Sequence, residues 1–170
     1  MNQNNTKKLA VTAMMAALAV VGSTLSFPVF GSKCAPVQHM VNVLCAVFLG
    51  PWYGLAAAFI ASVIRNLLGL GTLLAFPGSM CVALLSGLLY KKFQVLPAAY
   101  IGEVFGTAVI GGMLAFPIAR LAMGNSAAAL FTFVVPFLIS TAGGTAIAAV
   151  ITGVMKGTGA LAALKTQLAE

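Results

Sequence analysis

Long apolar segments fill most of this sequence, and the breaks between them are only a few residues long. A run of about 20 apolar residues is enough to cross the hydrocarbon core of a bilayer as a helix. The chain has 170 residues, of which 61% are hydrophobic and 6% are charged. Because this composition excludes an ordinary soluble domain, the sequence predicts an all-α membrane protein.

The breaks divide the chain into six predicted transmembrane helices that form a single domain over residues 1–170. The predicted helices cover about residues 9–29, 37–49, 52–68, 78–90, 97–118 and 128–155. Gly50-Pro51 is a turn signal that separates the second helix from the third. The segment 27–36 is punctuated by proline and glycine, which predicts a loop.

The positive charges lie mostly at the ends of the apolar segments. In a soluble protein, a net charge of +7 would suggest a nucleic-acid partner, but cations at helix ends instead fix orientation in the membrane, and we expect no nucleic acid. The predicted inner set is Lys7, Lys8, Lys91, Lys92, Lys156 and Lys165, and the outer set is Lys33, Arg65 and Arg120. Since cytoplasmic loops carry the excess of Lys and Arg, both termini are predicted to be cytoplasmic.

The break between the third and fourth helices, from Arg65 to Met80, contains an arginine, an asparagine and three glycines. Ionisable groups in membrane segments often mark a pathway or a pocket. The other interpretation is that Arg65 extends to the outer headgroups, as long basic side chains near helix ends do. The sequence leaves both interpretations open.

Glu103 is the only acid inside an apolar segment. It is predicted to contact a ligand or to accept hydrogen bonds near one, with Thr107 one helical turn further on the same face. A structural role, by pairing with Arg65 or by capping a bent helix, is the alternative. By the helical rise of about 1.5 Å per residue, Arg65 and Glu103 differ in depth by about 10 Å, which makes direct pairing difficult.

Polar and aromatic side chains gather in the outer half of the predicted bundle, which is the usual composition of a small-molecule pocket. Gln38 and Thr72 belong to this outer set. The predicted substrate-binding residues are His39, Asn42, Arg65, Asn66, Phe76, Ser79, Glu103, Thr107, Phe116 and Phe137. For His39, a position at the membrane interface is an equally good explanation.

Nothing in the sequence predicts an enzyme, a cofactor or a metal site. It contains no nucleophile with an adjacent base and no phosphate-binding loop, and Cys34, Cys45 and Cys81 lack metal-ligand spacing. Without a nucleotide-binding motif the chain cannot hydrolyse ATP alone. Moving a solute would therefore require an ion gradient or an energising partner.

The first helix carries Ala13 and Ala17, four residues apart. Small residues at this spacing let another helix approach closely, so the pair is a predicted docking face. Alanine is also common in membrane helices, and the motif alone is weak evidence for a partner.

Several short motifs together resemble the ThiW family. They are His39-Met-Val-Asn42, Gly50-Pro-Trp-Tyr53, Arg65-Asn66, Gly69-x-Gly71-Thr72, Ala75-Phe-Pro-Gly-Ser79, Gly102-Glu-x-x-Gly-Thr107 and Pro136-Phe137. The resemblance covers about residues 8–155 and implies a substrate-binding S component of an energy-coupling factor (ECF) transporter.

The resemblance implies a multi-pass protein of the prokaryotic plasma membrane that captures a thiamine precursor, hydroxyethylthiazole, on the outer side. Its partners would be a transmembrane T component, docked through Ala13 and Ala17, and two cytoplasmic ATPases. Two alternatives stay open from the residues alone: a stand-alone proton-coupled transporter, and a membrane assembly subunit that transports nothing.

Overall fold

A computed structural model describes residues 3–30 and 32–169, and most of these residues are helical. The helices are α1 (Gln3–Gly22), α2 (Pro36–Phe48), α3 (Pro51–Leu67), α4 (Ala75–Phe93), α5 (Leu96–Ala122), α6 (Val134–Gly157) and α7 (Ala160–Ala169). A short antiparallel hairpin, β1 (Phe27–Val29) and β2 (Ser32–Cys34), lies between α1 and α2 and places Phe27 opposite Cys34.

Three helices within the described residues are long and apolar enough to cross a membrane: Asn4–Leu25, Leu96–Ala122 and Val134–Gly157. Pro36–Phe48 is also apolar, but it has only 13 residues. The chain is therefore a helical membrane protein. Six crossings and cytoplasmic termini stay predictions.

Helix α2 is the central element of the bundle. Its residues from Gln38 to Val47 are all buried, and it packs against α1, α3, α4, α5 and α6. Pro36 begins the helix, where its fixed φ and missing N–H are tolerated. A helix that is covered on all sides can hold polar side chains only if neighbouring helices provide hydrogen-bond partners.

Glycine allows α6 to approach α2 closely beside His39. A Cβ on Gly144 would lie 2.2 Å from Pro36 O and 2.6 Å from His39 Cβ, distances that real Cβ atoms do not adopt. The two backbones are therefore in direct contact. This contact fixes the backbone position of His39 in the protein interior.

Helix α5 changes its winding three times. The α-helical segments Leu96–Phe105 and Gly112–Pro117 alternate with π-helical segments Gly106–Gly111 and Ile118–Ala122. Turns of π-helix are uncommon and are frequent at functional sites. The first π segment begins three residues after Glu103 and contains Thr107.

The predicted bounds of the first helix were wrong, because it ends at Gly22 and not near residue 29. Residues 27–29 instead pair with β2, since Pro28 cannot continue a helix but fits an edge strand. The predicted loop over residues 27–36 thus contains a hairpin. The structure is mainly helical, but not purely α.

Three other helix bounds also differ from the prediction. Helix α4 begins at Ala75, because Pro77 lies in its first turn, where a missing N–H removes no intrahelical bond. Arg120 belongs to the last π turn of α5 and not to a loop, with its guanidinium 5.9 Å from the Phe116 ring centre. Helix α6 begins at Val134 instead of residue 128, because residues before it form turns.

Helix α7 was not predicted. It follows Gly159, whose φ of +77° breaks the helical path after α6. The Lys165 ammonium donates a hydrogen bond to the Tyr90 hydroxyl, and Lys7 Nζ donates to Gln167 O at 3.4 Å. These contacts bring the start of α1, the end of α4 and α7 together at one end of the bundle, which carries most of the lysines.

Candidate functional site

A cavity opens at the opposite end of the bundle, where the hairpin and the loop between α3 and α4 meet. Its empty volume is about 490 Å³, including the part that is open to solvent. The polar and charged lining residues are Ser32, Lys33, Gln38, His39, Arg65, Thr72, Ser79, Thr107 and Ser140; Gly71, Leu74, Gly78, Phe137 and two alanines complete the wall.

The predicted site residues fall into two groups. His39, Arg65, Ser79, Thr107 and Phe137 line the cavity. Asn42, Asn66, Phe76, Glu103 and Phe116 do not line it. The cavity therefore brings together residues from α2, α3, α4, α5 and α6 that are far apart in sequence.

Glu103 lies behind His39 and is fully buried, with 0% of its surface exposed. Its Oε1 lies 2.8 Å from His39 Nδ1 and accepts a hydrogen bond from Asn42 Nδ2 at 3.3 Å. This contact uses Nδ1 of the imidazole and leaves the other ring nitrogen without a bond to Glu103. The predicted alternative, a direct pair with Arg65, does not form; His39 is the partner.

Arg65 is buried, although it ends a membrane helix. Only 4% of its surface is exposed, so its side chain does not extend to the protein surface as the headgroup interpretation requires. Its Nε has no hydrogen-bond partner among residues 3–30 and 32–169. Arg65 is instead one of the residues that line the cavity.

Two residues of the cavity wall each carry a buried polar atom without a partner in the described part of the chain: Gln38 Oε1 and Arg65 Nε. Gln38 is held in place because its Nε2 donates to Ser79 Oγ at 2.7 Å. Buried polar atoms normally have a partner, because leaving one unpaired costs about 1 to 3 kcal/mol. The arrangement offers both donors and an acceptor to a bound molecule.

Asn66 shapes the cavity indirectly. Its Nδ2 donates to Ser62 O at 2.8 Å and to Thr72 O at 3.3 Å, which fastens the loop after α3 to the end of that helix. Phe76 packs edge-on against Phe59, with ring centres 6.2 Å apart. These side chains are positioned to support the wall and not to touch a ligand.

Sequence reasoning missed the contribution of the hairpin, which supplies Ser32 and Lys33 to the cavity. Ala35 N donates to Ser140 Oγ at 2.9 Å, and Cys34 Sγ donates to Pro136 O at 3.3 Å, so the hairpin is anchored to α6. Ser140 could have been found, because it lies three residues after Phe137 on the same helical face. The hairpin carried no comparable signal.

No group of three His, Cys, Asp or Glu side chains that could hold a metal ion occurs within the described ranges. The chemistry that the lining offers is therefore hydrogen bonding, positive charge and contact with an aromatic ring. This combination suits the binding of a small polar molecule.

A family model described as thiamine-precursor transporter protein (ThiW) matches residues 9–158. The chain belongs to the ThiW family. The resemblance inferred from the motifs is thereby confirmed, and the family is one of transporters. Comparisons with curated proteins and with solved structures give no match.

The ThiW match includes α1 from residue 9 onward, α2 to α6 and every residue that lines the cavity, whereas α7 lies beyond it. The cavity is thus part of the region that defines the family. Because ThiW proteins transport a thiamine precursor, this cavity is the candidate substrate site of the chain.

Proposed function

We propose that this ThiW protein is the substrate-binding S component of an ECF transporter and that its cavity captures hydroxyethylthiazole, a thiamine precursor. The observation that carries the proposal is the presence of two unpaired buried polar atoms, on Gln38 and Arg65, among the residues that line one open cavity. A ligand that pairs with them recovers hydrogen bonds that the empty protein lacks.

A thiazole alcohol matches the chemistry of this wall. Its ring nitrogen accepts a hydrogen bond, which Arg65 can donate, and its hydroxyl can both donate to Gln38 Oε1 and accept from Thr107. Phe137 and Leu74 supply apolar contact for the ring. Small-molecule sites are generally built in this way, with a few polar groups that fix orientation in an apolar pocket.

The energising partners are proposed to be a T component and two cytoplasmic ATPases. Ala13 and Ala17 are exposed on α1, while Ala16 and Ala19 of the same helix are buried in the bundle. One face of α1 therefore packs inward and the other presents small residues outward. Such a face is suited to close contact with a helix of another protein.

The proposed orientation has six membrane-crossing helices, cytoplasmic termini and a cavity open to the outside of the plasma membrane. The lysine-rich end formed by α1, α4 and α7 is the end expected to face the cytoplasm. An outward cavity would allow capture before any contact with the ATPases.

A stand-alone proton-coupled transporter is the second candidate. The observation in its favour is the buried pair of His39 and Glu103, because an acid and a histidine in a membrane interior can form part of a proton relay. The third candidate, an assembly subunit that binds no small molecule, does not explain why the cavity contains unpaired polar atoms.

Uptake of labelled hydroxyethylthiazole separates these functions. Cells that express the chain with a T component and active ATPases should accumulate the label, and cells with catalytically inactive ATPases should not. Accumulation that persists without ATPase activity and collapses when the proton gradient is dissipated would instead support the proton-coupled transporter. Absence of both uptake and binding would support the assembly subunit as the function of the chain.

A further inference from the structure

The cavity has an unbalanced positive charge. Arg65 and Lys33 line it, and no Asp or Glu belongs to its wall within the described residues. We infer that the cavity prefers a thiazole precursor that carries an anionic group, a carboxylate or a phosphate ester, over the neutral alcohol. This inference rests on the proposed function and specifies the substrate class of the same site.

Arg65 provides the main argument. A buried cation is unfavourable unless an opposite charge or several hydrogen bonds compensate it, yet Arg65 is 4% exposed and its Nε has no acceptor in the described chain. A planar guanidinium presents its N–H groups in a fork that fits two oxygens of a carboxylate or phosphate. An anion bound here would supply the missing acceptor.

The loop after α3 holds Arg65 in place at the cavity. Leu70 N and Gly71 N donate to Arg65 O at 2.8 and 3.0 Å. A side chain on Gly71 would meet Arg65 Cβ at 3.2 Å, so glycine lets the loop pass close to the arginine. The position of the charge is therefore set by the backbone before a ligand binds.

Lys33 supplies a second cation from the opposite, hairpin side. It is exposed, and its Nζ donates one hydrogen bond to Leu70 O at 3.2 Å, which leaves two of its three N–H donors for other partners. Lys33 therefore lies at the cavity entrance, whereas Arg65 is buried. An anion that enters the cavity would meet one charge first and the other at the wall.

The nearest candidate for a counter-ion is already engaged. Glu103 is the one acid in the described ranges, it does not line the cavity, and its Oε1 binds His39 and Asn42. Arg65 and Glu103 form no ion pair in the described chain. The positive charge at the cavity is thus available to pair with an anionic ligand. The same charge disfavours binding of the cationic thiazolium ring of thiamine itself.

Binding to the purified full chain in detergent tests the inference, with calorimetry on hydroxyethylthiazole, its phosphate ester, the corresponding thiazole carboxylate and thiamine. We expect an anionic ligand to bind at least about tenfold more tightly than the alcohol, as a charge-assisted hydrogen bond allows. The ester and carboxylate arms identify which anion the site prefers. Thiamine should bind most weakly.

Arg65→Gln should bring the ratio of anion to alcohol affinity close to one, and Lys33→Gln, at an exposed position that tolerates substitution, should lower it by a smaller factor. Arg120→Gln is the matched control, because it removes an exposed cation that is not part of the wall.

If the alcohol binds and no anion binds more tightly, the inference is overturned while the proposed function stands. If the preference survives both cavity variants, the assignment to these cations is overturned. If no thiazole binds, the proposed function fails as well.

Discussion

Glu103 illustrates how a single buried acid organises its surroundings. Its Oε1 is hydrogen-bonded to His39 Nδ1 and accepts a hydrogen bond from Asn42 Nδ2, and because both residues belong to α2 these contacts link α5 to the central helix. The side chain therefore fixes the ring of His39, which does line the cavity, without lining the cavity itself.

Replacement of Glu103 should reveal this supporting role. Glu103→Ala leaves two buried donors without an acceptor, and we expect it to lower the free energy of unfolding by about 3 kcal/mol and to weaken ligand binding. Glu103→Gln keeps an acceptor oxygen and should lose less than half as much. Thermal unfolding in detergent and calorimetry measure the two effects.

Ser86→Ala is the control for this pair of variants. Ser86 is fully buried and its hydroxyl donates to Ala99 O at 2.8 Å, away from the cavity. It should cost about 1 kcal/mol of stability and leave affinity unchanged. Equal affinity in the Ala and Gln variants of Glu103 would show that the acid does not support the site.

The sequence was sufficient to single out Glu103, because one acid in an apolar helix is conspicuous. It could not identify His39 as the partner, since the two residues are 64 positions apart and meet only through the packing of α5 on α2. Arg65 was recognised for the same reason as Glu103. Whether it turned inward or outward depended on the loop that follows it.

Among the helices, the contact of α6 with α2 offers a sharp test of packing. Gly144→Ala places a Cβ against Pro36 O and His39 Cβ, so we expect a loss of about 3 kcal/mol from overpacking and weaker ligand binding as His39 shifts. Thermal unfolding and calorimetry again provide the measurement.

Gly153 lies on the same helix and serves as the matched control, because a Cβ there would have no neighbour within 4 Å. Gly153→Ala should be neutral or should stabilise the protein by about 0.5 kcal/mol through its better helix propensity. Similar unfolding temperatures for the two alanine variants would contradict the proposed close contact.

The outward face of α1 can be tested separately from the cavity. Ala17→Trp should abolish co-purification with the T component, because a bulky side chain prevents close helix approach, while ligand binding by the isolated chain persists. Ala146→Trp, at an exposed alanine of α6, should leave the complex intact. An intact complex with Ala17→Trp would remove this face as the docking site.

The existence of the long helices could be predicted from their apolar runs, but their ends could not. The fourth predicted helix begins at residue 78, after Pro77, yet proline in the first turn of α4 is compatible with the helix. The π segments of α5 also left no sequence pattern that separates them from an ordinary helix. The first of them ends at Gly111, which packs closely against α4: a Cβ there would lie 2.6 Å from Gly78 Cα.

For the molecule as a whole, the function of the cavity depends on which side of the membrane it faces. One cysteine at a time is added to a Cys81→Ser background. Ser126→Cys should react with an impermeant maleimide in intact cells, whereas Lys92→Cys should react only after the cells are permeabilised. Both positions are exposed, and native Cys34 and Cys45 are buried. This labelling pattern is expected because cytoplasmic loops carry the excess of Lys and Arg, which places Lys92 on the cytoplasmic side. The reverse labelling pattern would place the cavity on the cytoplasmic side.

Helix α2 is short for a membrane protein. Its 13 residues span about 20 Å at about 1.5 Å per residue, whereas the hydrocarbon core is about 30 Å thick. Since its neighbours shield it from lipid, its start need not reach the headgroups. With the end of α2 at the inner boundary of the hydrocarbon core, its start at Pro36 would lie about 10 Å inside the outer boundary, and water in the cavity would reach below the headgroups. A solute approaching His39 would keep most of its hydration until the final step of entry, so the protein needs no long dehydrated channel to admit it.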